Sequence, residues 1–265
     1  MTSLQELPAP AINSLSWLAK DGAGELILFV HPANLSGGCW SGVAGLLSDG
    51  FDCVAVDLRG HGGSDRRAPY AMEKFTDDAE RVMLEQDAAR VHLVGASMGA
   101  AVVVELAARH PALVATVTTL GGAFLPGEET GSEFLKSIDE SGPDFALRQA
   151  SRDAFAAGAQ QHLADLVFRD LSVNDGPTVA AIWRAALATD VRPLLAALAA
   201  PCLAIVGAED RTCPPDESVW FAGAAGCGLT VLPDVGHLPM YEAPSAVAGL
   251  LREHIERNTK RSSQQ

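Results

Sequence analysis

Short apolar segments alternate with amphipathic segments along most of this chain, and this alternation constrains the fold more than any other feature. Glu25–His31 (ELILFVH) is a nearly continuous apolar run, which is typical of a strand buried on both faces. Strands that alternate with helices predict a doubly wound α/β fold, with a mostly parallel sheet and helices on both faces. The other predicted strands of this series are Asp52–Asp57, Val91–Gly95, Ala115–Leu120, Cys202–Val206 and Leu229–Leu232.

The start and the end of the chain add two further elements. Ile12–Lys20 is predicted to be a strand, and the turn sequence Asp21-Gly22-Ala23-Gly24 lies between it and Glu25–His31. This arrangement predicts a hairpin of the first two strands. The last predicted helix runs from Pro244 to about Arg257, with Val247, Leu250, Leu251 and Ile255 on one face.

Strand-like runs are missing between residues 124 and 189, where helical patterns take over. This block follows directly after a predicted strand, and ligands bind at the carboxyl ends of strands in open α/β sheets. We therefore predict a helical lid at 124–189, inserted into a core that is formed by residues 1–123 and 190–265.

The charge and the cysteines restrict the classes of partner. The 265 residues include 33 acidic and 19 basic side chains, a net charge of −14. Such a chain is repelled by phosphate backbones and anionic lipid, so we expect neither a nucleic acid nor a membrane as partner. The segment Met1–Pro10 has no signal-peptide pattern. The five cysteines are odd in number and form no CxxC pair, which indicates free thiols in the cytoplasm and no metal site.

The pattern G-x-S-x-G occurs between a predicted strand and a predicted helix, as Gly95-Ala96-Ser97-Met98-Gly99. It follows the apolar run Val91–Val94 and opens a helix that begins with small residues. This is the setting of a nucleophile elbow, in which a serine sits on a sharp strand-to-helix turn. The helix N-terminus below that serine favours developing negative charge.

Four segments resemble the α/β-hydrolase superfamily, in the family's order and over roughly residues 12 to 257. They are Phe29-Val30-His31-Pro32-Ala33-Asn34 with Trp40 downstream, Asp57-Leu58-Arg59-Gly60-His61-Gly62-Gly63-Ser64-Asp65, the elbow around Ser97, and Ile205-Val206-Gly207-Ala208-Glu209-Asp210 followed by Asp234-Val235-Gly236-His237. The resemblance is to the lid-bearing, esterase-like and lactonase-like branch of the family. It implies the α/β-hydrolase fold and a serine hydrolase. Arg59 and His61 are interpreted as structural.

A serine hydroxyl needs a base within hydrogen-bond reach and a carboxylate that orients the base. Among the histidines, His237 lies in a short loop after the last predicted strand and matches the family's histidine position. For the carboxylate, Asp210 follows a strand and gives the order Ser97, Asp210, His237, which is the order of the superfamily. The alternatives that remain open for the acid are Glu209, Asp216, Glu128 and Glu129.

The expected oxyanion hole is formed by two backbone N–H groups, those of Met98 and Ala33. Pro32 stands where the family commonly has glycine, and proline has no N–H to donate. The Asn34 amide is a further donor candidate. The candidates for the substrate pocket are Asn34, Trp40, Phe124, Trp183 and Leu238. For Trp40 core packing is the favoured interpretation, and for the lid aromatics pocket and core both stay open. Cys213 is interpreted as a spectator thiol.

These features together predict a cofactor-independent serine hydrolase that cleaves an ester or lactone of a small, apolar molecule through an acyl-enzyme. Three alternatives stay open: hydrolysis of another bond, such as a carbon–carbon bond, an acyltransferase or perhydrolase of the same fold, and a ligand receptor with slow turnover. The oligomeric state also stays open, a homo-oligomer included.

Overall fold

A single seven-stranded sheet organises the part of the chain that the computed structural model describes, which is residues 9–19, 24–127, 132–159, 161–171 and 174–262. The strand order is β1-β3-β2-β4-β5-β6-β7. The strands are β1 (Ser14–Trp17), β2 (Glu25–Val30), β3 (Phe51–Val56), β4 (Val91–Ala96), β5 (Val114–Leu120), β6 (Cys202–Gly207) and β7 (Gly228–Leu232).

Helices connect the strands, as the alternation predicts. They are α1 (Ser41–Leu47), α2 (Met72–Glu85), α3 (Met98–Arg109), α4 (Glu133–Ser141), α5 (Pro143–Asp153), α6 (Gln161–Asp170), α7 (Gly176–Leu187), α8 (Pro215–Ala225), α9 (Pro239–Glu242) and α10 (Pro244–Ser262). Four of them, α4 to α7, lie between β5 and β6. None of the described helices has the length and the apolar character needed to cross a membrane.

The predicted hairpin of the first two strands is wrong. β1 pairs antiparallel with β3, with Ser14 opposite Val56, whereas β2 lies between β3 and β4 and is parallel to both. The apolar strand β2 is buried along nearly its whole length, and it gains this burial by taking a central position. The largely exposed β1 is suited to the edge. Of the predicted turn, Asp21, Gly22 and Ala23 lie outside the described residues.

The sheet separates two apolar clusters, because successive side chains of a strand point to opposite faces. Leu28 and Val30 of β2 belong to the cluster that includes Val82 of α2 and Val102 of α3. Ile27 and Phe29 belong to the other cluster, with side chains from α1 and α10. The predicted doubly wound, mostly parallel α/β architecture is thereby confirmed, and it brings the carboxyl ends of the parallel strands to one edge.

Helix α8 was not among the sequence predictions, although its ends carry local signals. Pro215 occupies its first turn together with Asp216 and Glu217, which suits the positive end of the helix dipole. Gly226 ends the helix in the left-handed conformation, with φ +62°. Asp216 and Glu217 therefore lie in the first turn of a helix, where negative charge is favourable.

Candidate active site

Ser97 lies on a strained turn between β4 and α3, with φ 52° and ψ −122°. A positive φ is unfavourable for any residue with a side chain, and it is typical of functional turns. A Cβ on Gly95 would lie 2.1 Å from the Gly99 carbonyl oxygen, and a Cβ on Gly99 would lie 2.4 Å from that of Val30. Both glycines of the G-x-S-x-G pattern are thus required by close backbone approach.

His237 and Asp210 form a buried hydrogen-bonded pair. The distance from His237 Nδ1 to Asp210 Oδ2 is 2.9 Å, and the two side chains are 6% and 0% exposed. The other carboxylate oxygen, Oδ1, accepts N–H bonds from Thr212 at 3.0 Å and Cys213 at 2.8 Å. An ionised Asp210 only accepts, so Nδ1 carries the proton and Nε2 is the basic nitrogen of the ring.

Ser97 and His237 line one cavity of about 70 Å³, which we call the first cavity. The core contributes Ala33, Asn34 and Leu238 to its wall. Each of the helices α4 to α7 adds at least one side chain, and the wall is mostly apolar. These helical residues are Phe134, Leu147, Ala150, Ser151, Val167 and Trp183.

A second cavity of about 90 Å³ meets the first one at Ser97. Its wall shares Ala33, Ser97 and Trp183 with the first cavity and also includes Cys213. Burial, and then the neighbouring Asp210 carboxylate, raise the pKa of the Cys213 thiol well above its ordinary value. The thiol is therefore protonated near neutral pH and is a poor nucleophile, which agrees with the interpretation of Cys213 as a spectator.

The loop after β2 carries the residues expected at the oxyanion hole. Ala33 lines both cavities, and Met98 is the first residue of α3, where helix N–H groups have no intrahelical acceptor. Asn34 has a positive φ of 62° and is 2% exposed. The side-chain oxygen of Asn34 is buried, and it has no hydrogen-bond partner among the described residues.

Two histidines in ring contact, His31 and His61, hold this loop against the loop after β3, with ring centroids 4.5 Å apart and ring planes tilted by 49°. The Asn34 N–H donates to His61 Nε2 at 3.0 Å, and the Leu58 N–H donates to His31 Nε2 at 3.1 Å. Since Nε2 accepts in both rings, Nδ1 carries the proton and donates, to the Arg59 carbonyl from His61 and to the Pro32 carbonyl from His31. The geometry agrees with a structural role for His61.

The buried histidines predict a loss of stability in acid. Burial lowers the pKa of both rings, and for His61 the neighbouring His31 lowers the pKa further. A histidine in the unfolded chain titrates at pH ~6.5, so below that value the unfolded chain binds more protons than the folded chain does. This contribution to the free energy of unfolding is therefore complete above pH ~6.5 and is lost as the pH falls below it.

Urea unfolding between pH 5 and 7.5 measures this effect. His61→Gln keeps an acceptor for the Asn34 N–H but does not titrate. Below pH ~6.5 its free energy of unfolding should therefore fall less steeply than that of the wild type, by at most ~1.4 kcal/mol per pH unit. The matched control is His162→Gln, because His162 is exposed on α6. An acid slope that is unchanged in His61→Gln would contradict the assignment.

Three of the predicted pocket residues, Asn34, Trp183 and Leu238, line the first cavity, whereas Trp40 and Phe124 lie elsewhere. Trp40 is fully buried and packs on Phe29, with ring centroids 4.9 Å apart. Phe124 stacks on Phe221 of α8 at 4.3 Å. The burial of a large aromatic ring stabilises the fold most when the ring is completely buried, and both of these rings are completely buried in the core.

Neither of the two described alternative acids, Glu209 and Asp216, is the hydrogen-bond partner of the His237 ring. The Glu209 carboxylate accepts the Ala157 N–H at 2.9 Å, and Asp216 is exposed on α8. Glu128 and Glu129 lie outside the described residues. In the described part of the chain, no cluster of three or more His, Cys, Asp or Glu side chains could hold a metal ion.

Two contributors to the site were missed by the sequence reasoning. Gly121 follows β5 with φ +49° and packs against the Asp210–His237 pair, and Glu242 bonds to the loop that carries His237. The Gly121-Gly122 pair after a strand signalled a special turn, but its neighbours in space are more than eighty residues away along the chain. Local patterns carry no information on such contacts.

Comparison with known proteins gives a consistent result. A sequence profile of the alpha/beta hydrolase family matches residues 27–250. The chain is 28% identical over 252 residues to the pimeloyl-(acyl-carrier protein) methyl ester esterase of Methylococcus capsulatus, covering 90% of this chain and 98% of the relative.

Two solved structures share the fold. The enol-lactonase from Burkholderia xenovorans LB400 superposes with a TM-score of 0.84 at 24% identity, covering 93% of this chain and 97% of that one. A thermophilic esterase from Thermogutta terrifontis gives a TM-score of 0.83 at 24% identity, covering 94% of each chain. With a profile match that spans most of its length, the chain belongs to the alpha/beta hydrolase family.

Proposed function

We propose that this protein is a cofactor-independent serine hydrolase that cleaves a carboxylic ester or lactone of a small, largely apolar molecule. The observation that carries the proposal is that Ser97, on its strained elbow, and the Asp210-bonded His237 line the same cavity, the first cavity. The family membership supports hydrolase chemistry, and the names of its relatives include esterases and a lactonase.

In the proposed reaction, Ser97 attacks the carbonyl carbon while His237 Nε2 removes the hydroxyl proton. Asp210 keeps the ring in the tautomer with Nδ1 protonated and stabilises the imidazolium that forms. The imidazolium then protonates the departing alkoxide, which leaves an acyl group on Ser97. His237 next activates a water molecule, and hydrolysis of the acyl-enzyme restores the serine.

The proposed oxyanion hole consists of the backbone N–H groups of Ala33 and Met98. Hydrogen bonds to a developing oxyanion are worth more than those to a neutral carbonyl, so they lower the barrier. Asn34 is held beside this site by His61, and its amide is a third candidate donor. Pro32 lacks an N–H, but the proposed donor is the N–H of the next residue, Ala33, so the proline does not remove it.

We further propose that residues 124–189 act as a lid and supply substrate selectivity. The support is that α4 to α7 all contribute to the wall of the first cavity. Phe134 and Trp183 lie side by side in this wall, with ring centroids 4.4 Å apart. An apolar wall favours an uncharged substrate, since a buried charge without a partner is costly.

A substrate panel with a covalent probe tests the function. We expect turnover of short-chain p-nitrophenyl esters or of simple lactones, and a single fluorophosphonate adduct on the peptide that contains Ser97. Absence of labelling overturns the proposal. Labelling without turnover favours a slow receptor, turnover of β-diketones alone favours carbon–carbon cleavage, and dependence on peroxide favours a perhydrolase.

Gly121→Ala should disrupt the proposed triad without changing any of its three side chains. A Cβ at this position would lie 2.7 Å from Asp210 Oδ2 and 3.3 Å from His237 Nδ1. The Asp210–His237 hydrogen bond must shift to make room, and a misplacement of ~1 Å can cost ~10²-fold in rate. We therefore expect kcat/KM for a p-nitrophenyl ester to fall by about 10²-fold.

Gly226→Ala is the control variant that distinguishes the steric clash at Gly121 from the strain of a positive φ. Gly226 also has a positive φ, +62°, but no atom lies within 4 Å of its added Cβ. Both substitutions should lower the melting temperature, whereas only Gly121→Ala should lower kcat/KM. Equal activity of the two variants would contradict the assigned position of the pair.

A further inference from the structure

The short segment 154–157, between α5 and α6, lies directly on the loop that carries His237. The His237 N–H donates to the Ala154 carbonyl oxygen at 2.6 Å. Next to it, a Cβ on Gly236 would lie 2.5 Å from the same oxygen and 2.7 Å from the Ala156 nitrogen. The backbone of segment 154–157 and the backbone of the histidine loop are thus in van der Waals contact, with no room for a side chain between them.

A single carboxylate, that of Glu242 on α9, bridges this contact. Its Oε1 accepts the Ala156 N–H at 3.0 Å, and its Oε2 accepts the Gly236 N–H at 2.8 Å. An ionised carboxylate offers both oxygens as acceptors, whereas an amide places an NH2 donor at one of the two positions. The hydrogen bond between Ala156 and Glu242 joins residues that are 86 positions apart in the chain.

The surroundings of Glu242 disfavour the charged form of its carboxylate. Burial raises the pKa of Glu242, and the nearby carboxylates of Glu209 and Asp210 raise it further, while the two N–H donors lower it. A neutral side chain of similar size would avoid both costs. The charge at this place is explained by the two backbone donors that it holds together.

The loop that carries Asp210 is bonded to the same segment. Glu209 Oε2 accepts the Ala157 N–H at 2.9 Å, and Arg211 donates to the Phe155 carbonyl oxygen at 3.2 Å. The Glu209 N–H also donates to the Val235 carbonyl oxygen at 2.9 Å, which links the acid loop to the histidine loop. Residues 154–157 therefore dock on both loops at once.

From this geometry we propose that Glu242 is a positioning residue for His237. Its carboxylate locks the histidine loop onto segment 154–157, so the alignment of His237 with Ser97 depends on the docking of the helices that line the first cavity. Any movement of these helices at segment 154–157 displaces the base. The proposal rests on the proposed function, because it gives His237 the role of base.

Glu242→Gln and Glu242→Ala test the proposal against the matched control Glu253→Gln, which removes an exposed carboxylate on α10. We expect kcat for a p-nitrophenyl ester to fall about tenfold or more in both Glu242 variants, since a small misplacement of a base is costly. KM should change less than twofold, because Glu242 does not line the first cavity. The control should match the wild type.

Amide hydrogen exchange provides a readout that does not depend on activity. The Gly236 and Ala156 amides should exchange at least tenfold faster in Glu242→Gln, with unchanged exchange in β4 and β5. If neither Glu242 variant folds, Glu209→Ala replaces them, since it removes the bond to Ala157 from the same segment, and the same fall in kcat is expected.

The outcomes separate this inference from the proposed function. A Glu242→Gln variant with a lower melting temperature but a wild-type kcat at 25 °C has a structural role only, which overturns the inference and leaves the hydrolase intact. Wild-type exchange at Gly236 also overturns it. If the wild type cleaves neither an ester nor a lactone, the proposed function fails, and faster exchange in the variant still supports the link between Glu242 and the histidine loop.

Discussion

Replacing Ser97 by alanine is expected to lower kcat for a p-nitrophenyl ester by about 10⁶-fold. Without the hydroxyl no acyl-enzyme forms, and His237 has no proton to remove. Binding in the first cavity and the N–H groups of Ala33 and Met98 remain, so a residual rate of ~10³-fold over water is expected. Stopped-flow kinetics on the wild type and long incubations with the variant measure the difference.

Ser151→Ala is the matched control for this loss. Ser151 lines the same cavity, but its hydroxyl donates to the Leu147 carbonyl oxygen at 2.8 Å within α5. This variant should keep kcat within a few-fold and should still react with a fluorophosphonate. A Ser97→Ala protein that hydrolyses esters at a rate near that of Ser151→Ala would exclude Ser97 as the nucleophile.

Asp210→Asn is expected to lower kcat by about 10⁴-fold while the fold stays intact. Asp210 Oδ1 accepts two backbone N–H groups, those of Thr212 and Cys213. An asparagine must keep its oxygen at these donors, so its amide nitrogen faces His237 Nδ1. That nitrogen donates, which forces Nδ1 to accept and moves the ring proton to Nε2. A ring protonated at Nε2 cannot take the Ser97 proton.

Asp216→Asn controls for the loss of a nearby negative charge, because Asp216 is exposed on α8. It should retain wild-type kcat. Circular dichroism and the melting temperature establish that both variants are folded. If Asp216→Asn or a Glu209 variant loses activity while Asp210→Asn retains it, the acid of the proposed triad has been assigned to the wrong residue.

Most strands and helices of the core were predictable, because their signals are local. β2, β4 and β6 are short apolar runs, and a strand buried on both faces requires such a run. The partner of β1 was not predictable in this way. The turn sequence favoured its neighbour β2, whereas both edges of β2 are occupied by β3 and β4.

The site was predictable to the extent that its chemistry demands particular residue types in particular places. The strained turn at Ser97 requires Gly95 and Gly99, and the requirement is visible in the sequence. The pocket was less predictable, because an aromatic side chain suits the core and a cavity wall equally well. Trp183 lines the first cavity, whereas Trp40 is fully buried in the core against Phe29.

The sequence by itself determined the α/β architecture, the elbow at Ser97 and the candidate order of serine, acid and histidine. Hydrophobic periodicity and the glycines of a tight turn act over a few neighbouring residues, so they can be interpreted without coordinates. The tertiary structure alone decided which carboxylate meets His237, which aromatic rings reach the cavity, and that Glu242 joins the histidine loop to segment 154–157. These contacts join residues that are distant in the chain, and their geometry follows from how the loops and helices pack over the sheet.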